Sequence, residues 1–224
     1  MGKAWDDSAG EAVKTKLDYI KFEMGQNRMR LVGDILPRYA YWKKLKDFNI
    51  PFECLSFDRD EEKFTNLEKD WFNHYFPTKP NGDKFYPSWS YVIKVIDPKD
   101  GKIKLCGLKK KLFEQIQTMA KDHLGSPTNP VTGWEIVFKK KSTGPLPFNV
   151  EYTLDQLECK VMPLTEEQIT MLEESPSIDE LVPRLTADQQ HAFIKTAWLG
   201  EAETKEETNV DKKATDDFDD DIPF

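Results

Sequence analysis

The last eight residues, Asp217-Phe218-Asp219-Asp220-Asp221-Ile222-Pro223-Phe224, cannot belong to a folded core, and this limits what the rest of the chain has to build with. Five of the final nine residues are aspartate, and unpaired carboxylates are too costly to take out of water. Residues 201–216 ahead of them hold no aromatic and one large aliphatic side chain, Val210, which predicts a disordered linker. The fold must come from the preceding 200 residues. The tip still has an order of its own. Acid followed by Ile-Pro-Phe and a carboxylate reads as a ligand: the aromatic fills a pocket, the carboxylate meets a basic residue, and the aspartates steer the approach.

Charge is segregated in the same way. Residues 1–164 hold 27 Lys and Arg against 23 Asp and Glu, residues 165–199 hold 2 against 7, and residues 200–224 hold 3 against 10. A net charge of −8 therefore hides a mildly basic body with an acidic C-terminal quarter, the polarity of a nucleic-acid binder with an acidic interaction tail. Cys54, Cys106 and Cys159 are odd in number and widely spaced, which points to a reducing cytoplasm rather than a disulfide framework. No apolar run approaches the ~18 residues of a membrane span, and Met1 to Gly10 has no signal-peptide pattern.

Within the body, alternation predicts strands at Lys16–Met24, Arg28–Val32, Ile35–Leu45, Ile50–Phe57, Phe85–Ile96, Lys102–Leu108, Trp134–Lys141 and Val150–Met162. Gly33-Asp34 reads as a turn between two of them, and Asp97-Pro98-Lys99-Asp100-Gly101 as a hairpin turn. Helical spacing predicts Asp60–Tyr75, capped by Asp60, with Phe64, Leu67, Trp71 and Tyr75 on one stripe. Further helices are expected over Lys109–His123, stopped by Gly125, from Thr165, and over Thr186–Leu199. Many short strands without a βαβ alternation suggest a small barrel such as the five-stranded OB-fold. The expected organisation is a mainly β core with a helical insertion over 1–164, a helical extension over 165–200, and an acidic tail over 201–224.

No glycine-rich nucleotide loop, catalytic triad or metalloprotease helix is present. His74, His123 and His191 lie far from any cysteine, so neither metal, cofactor nor enzymatic chemistry is expected. Basic residues interleaved with aromatic ones are plentiful instead. One set is Arg28, Arg30, Arg38, Tyr39, Tyr41, Trp42 and Lys43. Another is Lys84, Tyr86, Trp89 and Tyr91. Lys109, Lys110 and Lys111 form a third, and Lys139-Lys140-Lys141 with Phe148 and Tyr152 nearby a fourth, of which Lys139 is singled out. Cations that track phosphates and rings that stack on unpaired bases are what a single strand requires. Alternation sends every second strand residue into the core, so half of these rings are expected there. Trp71 and Trp134 are assigned to the core.

The tip Asp217–Phe224 is identical, residue for residue, to that of bacterial single-stranded DNA-binding proteins (SSBs). The stretch Trp89 to Met119, with Asp97-Pro98, Gly101-Lys102-Ile103 and Lys110-Lys111-Leu112-Phe113, resembles the T-even phage helix-destabilising proteins, the phage family of SSBs. That resemblance implies an OB-fold whose basic groove binds single strands without sequence preference, with Trp89, Lys110, Lys111, Phe148 and Tyr152 at groove positions. Two departures stand out. The family's zinc ribbon would fall in Leu55–Tyr75, which has no second cysteine, and its basic N-terminal arm has no counterpart beside Asp6, Asp7 and Glu11.

The expectation is a phage SSB in the host cytoplasm, acting in replication, recombination and repair. Its partners would be single-stranded DNA, with RNA not distinguished by stacking, and, through Asp217–Phe224, host proteins that read the bacterial tip, such as exonuclease I, the primosomal helicase and recombination mediators. Phage replication proteins are further candidates. The alternative is an adaptor or decoy that sequesters those host factors.

Overall fold

The computed structural model describes residues 17–45, 48–66, 69–145 and 149–199. One strand, β1 (Gly25–Leu45), organises it. Along its length β1 pairs antiparallel with β7 (Glu135–Ser142) at residues 25–30, with β5 (Ser88–Ile96) at 30–40, and with β2 (Phe48–Glu53) at 40–45. β6 (Ile103–Leu108) extends the sheet beyond β5, and β8 (Val150–Leu154) extends it beyond β7. The protein is thus mainly β: a six-stranded antiparallel sheet, order β6-β5-β1-β7-β8 with β2 on the far half of β1, plus a few short helices. Among the described residues no pairing joins β6 to β8, so the sheet is not closed. None of the described helices is long and apolar enough to cross a membrane.

Gly33-Asp34 does not end a strand. The β1–β5 register jumps from Val32 to Ile35 while β5 runs straight from Lys94 to Ile93, so Gly33 and Asp34 bulge out of one continuous strand. Gly33 has φ +68°, which glycine adopts without steric cost. Two inserted residues preserve alternation, so Leu31 and Ile35 both reach the main core. The strand expected over Lys16–Met24 is also corrected. Lys16 lies outside the described residues, and beyond it only Tyr19 forms a bridge, parallel to Leu105. The Asn27 side chain occupies the backbone just after, accepting from the Glu23 amide and donating to the carbonyls of Glu23 and Gly25.

The helix expected over Asp60–Tyr75 splits in two. β3 (Phe57–Asp58) and β4 (Lys63–Phe64) make a small hairpin, whose turn is held by Asp58 Oδ1 accepting the amides of Asp60 and Glu61. Only α1 (Trp71–Tyr75) is helical, and its cap is Asp70, not Asp60. Phe64 leaves the supposed helical stripe and packs on Tyr39 at 4.9 Å. Leu67 lies outside the described residues. Trp71 is partly buried and stacks on His191 at 3.7 Å, whereas Trp134 is fully buried, as expected.

α2 (Lys110–Met119) crosses from β6 to β7 and lays Leu112, Ile116 and Met119 into the main core, before a wider π turn (Ala120–Leu124) stops at Gly125, φ +71°. The C-terminal segment begins two helices where expected. α3 (Glu166–Glu174) and α5 (Ala187–Ile194) each open with a capping box, Thr165 with Gln168 and Thr186 with Gln189. A four-residue helix, α4 (Ile178–Leu181), lies between them; it is too short to show a period in sequence. α4 covers the sheet face opposite α2, where Ile178 and Val182 meet Leu36, Val92 and Leu105. α5 docks on the β2–α1 insertion. The buried Gln190 accepts the Phe72 amide (3.1 Å) and donates to the Glu53 carbonyl (2.9 Å).

Arg30 ties the two ends of the body together. It is buried, and its guanidinium donates to the carbonyls of Leu31, Pro127, Asn129 (2.6 Å) and Met162 (2.8 Å). Arg30→Ala orphans these acceptors and leaves a cavity under Gly133, so it should cost about 3 kcal/mol. Arg28→Ala removes exposed ion pairs and should cost less than about 1 kcal/mol. Urea unfolding followed by tryptophan fluorescence checks both.

Candidate nucleic-acid interface

Strand alternation decides which of the basic and aromatic residues can meet a ligand. On β1, Tyr39 sits directly across from Trp89 of β5. Trp89 contacts Tyr91 (4.3 Å) and Phe113 of α2 (5.7 Å), and Tyr91 contacts Phe113 (4.0 Å). Phe57 and Phe64, from the β3–β4 hairpin, lie against Tyr39 at 4.7 and 4.9 Å. Two ring groups result, Phe64 and Phe57 on Tyr39 and Trp89 with Tyr91 on Phe113, and the Tyr39–Trp89 strand pairing sets them side by side as one row. Phe64 is 51% exposed, Trp89 and Phe113 are half-buried, and Tyr91 is buried beneath them. The Tyr91 hydroxyl donates to Glu62 (2.5 Å). Burial first, then this bond to a carboxylate, pushes its pKa well above the ordinary phenol value.

The row ends at the start of α2. Lys109 is the N-cap residue but makes no side-chain cap, and the first turn holds no acid. Unpaired first-turn amides and the positive end of the helix dipole therefore coincide with Lys109, Lys110 and Lys111. Lys109 Nζ lies 5.1 Å over the Tyr152 ring. Lys140, opposite Tyr152 across β7 and β8, donates to the Phe22 carbonyl. Burial, and then the charge of Lys140, push the Lys109 pKa down to about 8. Among the described residues no carboxylate pairs with either lysine. Lys110 is 3.9 Å from Glu114, and Lys111 is ion-paired with Glu151. This electropositive corner beside a row of rings has the chemistry to hold phosphates while bases stack.

Several sequence-selected residues are placed elsewhere. Arg28 is ion-paired with Glu135 (2.7 Å) and Glu158 (3.5 Å), and Arg30 is consumed by carbonyls. Tyr41 is buried, stacked on Phe72 (4.5 Å), with its hydroxyl on Cys54 Sγ and Asp70. Lys43 lies over the Phe76 ring (4.1 Å), and Trp42 is half-buried opposite Pro51. Arg38 alternates away from Tyr39, pairing with Ser90. Lys139 is likewise one residue out of phase with Lys140 and pairs with Asp155 (2.8 Å). Tyr152 is buried against Phe138 (5.7 Å) and Phe22 (6.3 Å). Lys84 and Tyr86 (73% exposed) sit in the loop before β5. Phe148 and Asp217–Phe224 lie outside the described residues. Sequence reading did not select Phe64 or Phe113. Of the Lys139-Lys140-Lys141 run it singled out Lys139, whereas the period-two register puts Lys140 on the face of the core residues Ile136 and Phe138.

Lys109 carries a pH signature. Its folded pKa lies below the ordinary lysine value of 10.5, so the unfolded state binds more protons between about pH 8 and 10.5, and stability rises with pH across that window. Below about pH 8 the lysine is charged in both states and its cost is fully present. Lys109→Met should therefore raise the urea midpoint at pH 7, and the gain should shrink as pH climbs from 8 to 10.5. Parallel urea titrations at pH 7, 9 and 10.5 check the sign.

Comparison with known proteins gives one similarity that spans the chain. No family model matches it. A protein of Escherichia phage T5 with the name "Probable ssDNA-binding protein" is 26% identical over 265 aligned positions, which cover 98% of this chain and 100% of that protein.

Proposed function

We propose that this chain is a phage single-stranded DNA-binding protein built on an OB-fold, and that it binds without sequence specificity during phage DNA replication, recombination and repair. The observation that carries the reading is the half-exposed row Phe64–Tyr39–Trp89–Phe113 running into the Lys109–Lys140 corner. The strand order supports the OB-fold: β5 and β6 lie on one side of β1, β7 and β8 on the other, and α2 falls between β6 and β7. In such a fold the loops after the first strand and before the last flank the ligand. Here these are the 46–87 insertion, which supplies Phe64, and the connection between β7 and β8. The likeness to the phage T5 protein over the whole chain supports the same ligand.

The protein acts by binding rather than by catalysis. It coats exposed strands and removes hairpins by holding only the unpaired state, which shifts the equilibrium by mass action. Its place of action is the host cytoplasm. The tip Asp217–Phe224 recruits host proteins that read the bacterial SSB tail, and the acidic tail competes with DNA for the basic corner until a strand displaces it.

Fluorescence anisotropy with a labelled oligo(dT) tests the reading. Binding should weaken steeply with salt as counterions leave the phosphates. Trp89→Ala and Phe64→Ala should each lower affinity about tenfold, within the stacking contribution of one base. Lys139→Ala and Arg28→Ala should change it less than about twofold. No binding at low salt would sink the proposal and favour the adaptor. A second measurement addresses the tail: deleting residues 217–224 should keep or raise DNA affinity and abolish binding to a host SSB-tail reader such as exonuclease I. Unchanged binding to that reader would refute the docking role.

A further inference from the structure

Glu62 holds an unusual position beside the ring row. It lies in the turn between β3 and β4 with φ +49°, a left-handed conformation that costs a side-chain-bearing residue strain. The turn is fixed on both sides. Asp58 caps it from within, and the amides of Thr65 (2.9 Å) and Asn66 (3.2 Å) bond the Ser56 carbonyl. The carboxylate is then aimed by the Tyr91 hydroxyl, which donates to Oε2 at 2.5 Å. Among the described residues no hydrogen bond reaches Oε1. Two residues further on, Phe64 presents its exposed ring, and the Trp89 ring meets that of Tyr91 edge-on at 4.3 Å. A base stacked between the Phe64 end of the row and Trp89 would bring its polar edge toward Oε1.

We infer that Glu62 reads the base at this position, so that the interface, although it binds all single strands, prefers bases that present an amino donor. The inference deepens the proposed single-strand binding and rests on it. An ionised carboxylate is acceptor-only. With Oε2 engaged, a single acceptor remains. It matches the N4 amino group of cytosine or the N6 amino group of adenine, and a carboxylate accepting from cytosine N4 is an established base contact. Thymine offers only one imino N–H, flanked by two carbonyl oxygens that a carboxylate repels. The backbone phosphates are the same for both pyrimidines and thymine differs in the stack by its C5-methyl group, which Glu62→Gly leaves unchanged, so the part of the preference that this substitution removes falls on this one contact.

The experiment titrates the full-length protein with labelled (dC)12 and (dT)12 at one salt concentration and pH 7.5, then repeats both with Glu62→Gly. Glycine suits the left-handed backbone, and position 62 is exposed, so the variant keeps its fold. The wild type should bind (dC)12 about fivefold tighter than (dT)12, the size of one hydrogen bond to a charged group on a partly wet surface. Glu62→Gly should collapse that ratio toward one, chiefly by weakening (dC)12. A ratio near one in the wild type, or a cytosine preference that survives in Glu62→Gly, overturns the role of Glu62 while leaving single-strand binding intact. Failure of both oligomers to bind the wild type at low salt overturns the proposed function, and this inference with it.

Discussion

One strand supplies backbone partners to three others, and the rest of the molecule depends on that sharing. β1 meets β7 at its start, β5 through its middle and β2 at its end. A strand can serve so many partners only if it is long and bends, and the two-residue bulge at Gly33-Asp34 provides the bend. An insertion of one residue would have turned Tyr39 to the opposite face and removed it from Trp89. An insertion of two keeps the register of faces. The ring row is thus an outcome of backbone pairing, settled 6 residues upstream of Tyr39.

Burial then sorts the chemistry. Two apolar clusters take up Tyr41, Tyr91 and Tyr152, and ion pairs take up Arg28 and Lys139. Phe64, Trp89, Phe113, Lys109 and Lys140 remain at the edge of the main core, where a ligand can reach them and the core still holds them. The C-terminal helices have a different part. α4 covers the sheet face opposite α2, and α5, through Gln190, holds the insertion that carries the β3–β4 hairpin.

Much of this was legible in the sequence. The hairpin at Asp97–Gly101 and the capped starts of α3 and α5 follow from turn and cap chemistry that acts over four or five residues, and α2 from its apolar stripe of Leu112, Ile116 and Met119. What was not legible is set over longer distances. A bulge looks like a turn until a partner strand is seen running straight beside it. Phe64, Trp71 and Tyr75 keep helical spacing, yet Asp58 folds the chain back before a helix can start, and tertiary contacts with Tyr39 and His191 claim the rings. Within the Lys139-Lys140-Lys141 run, strand phase separates Lys140, on the side of Ile136 and Phe138, from Lys139, which pairs with Asp155 on the other. Glu62 had no signal at all, because its significance comes from Tyr91, 29 residues away.

The Lys109–Lys140 pair is a conflict that the folded chain leaves unresolved. Lys109 lies over the Tyr152 ring with Lys140 near enough to repel it, and burial first, then that charge, lowers its pKa to about 8. Sequences that serve stability alone tend to eliminate such local frustration. Here the repulsion and the lost hydration act on the same ammonium, so an anion brought against it would offset both costs at once.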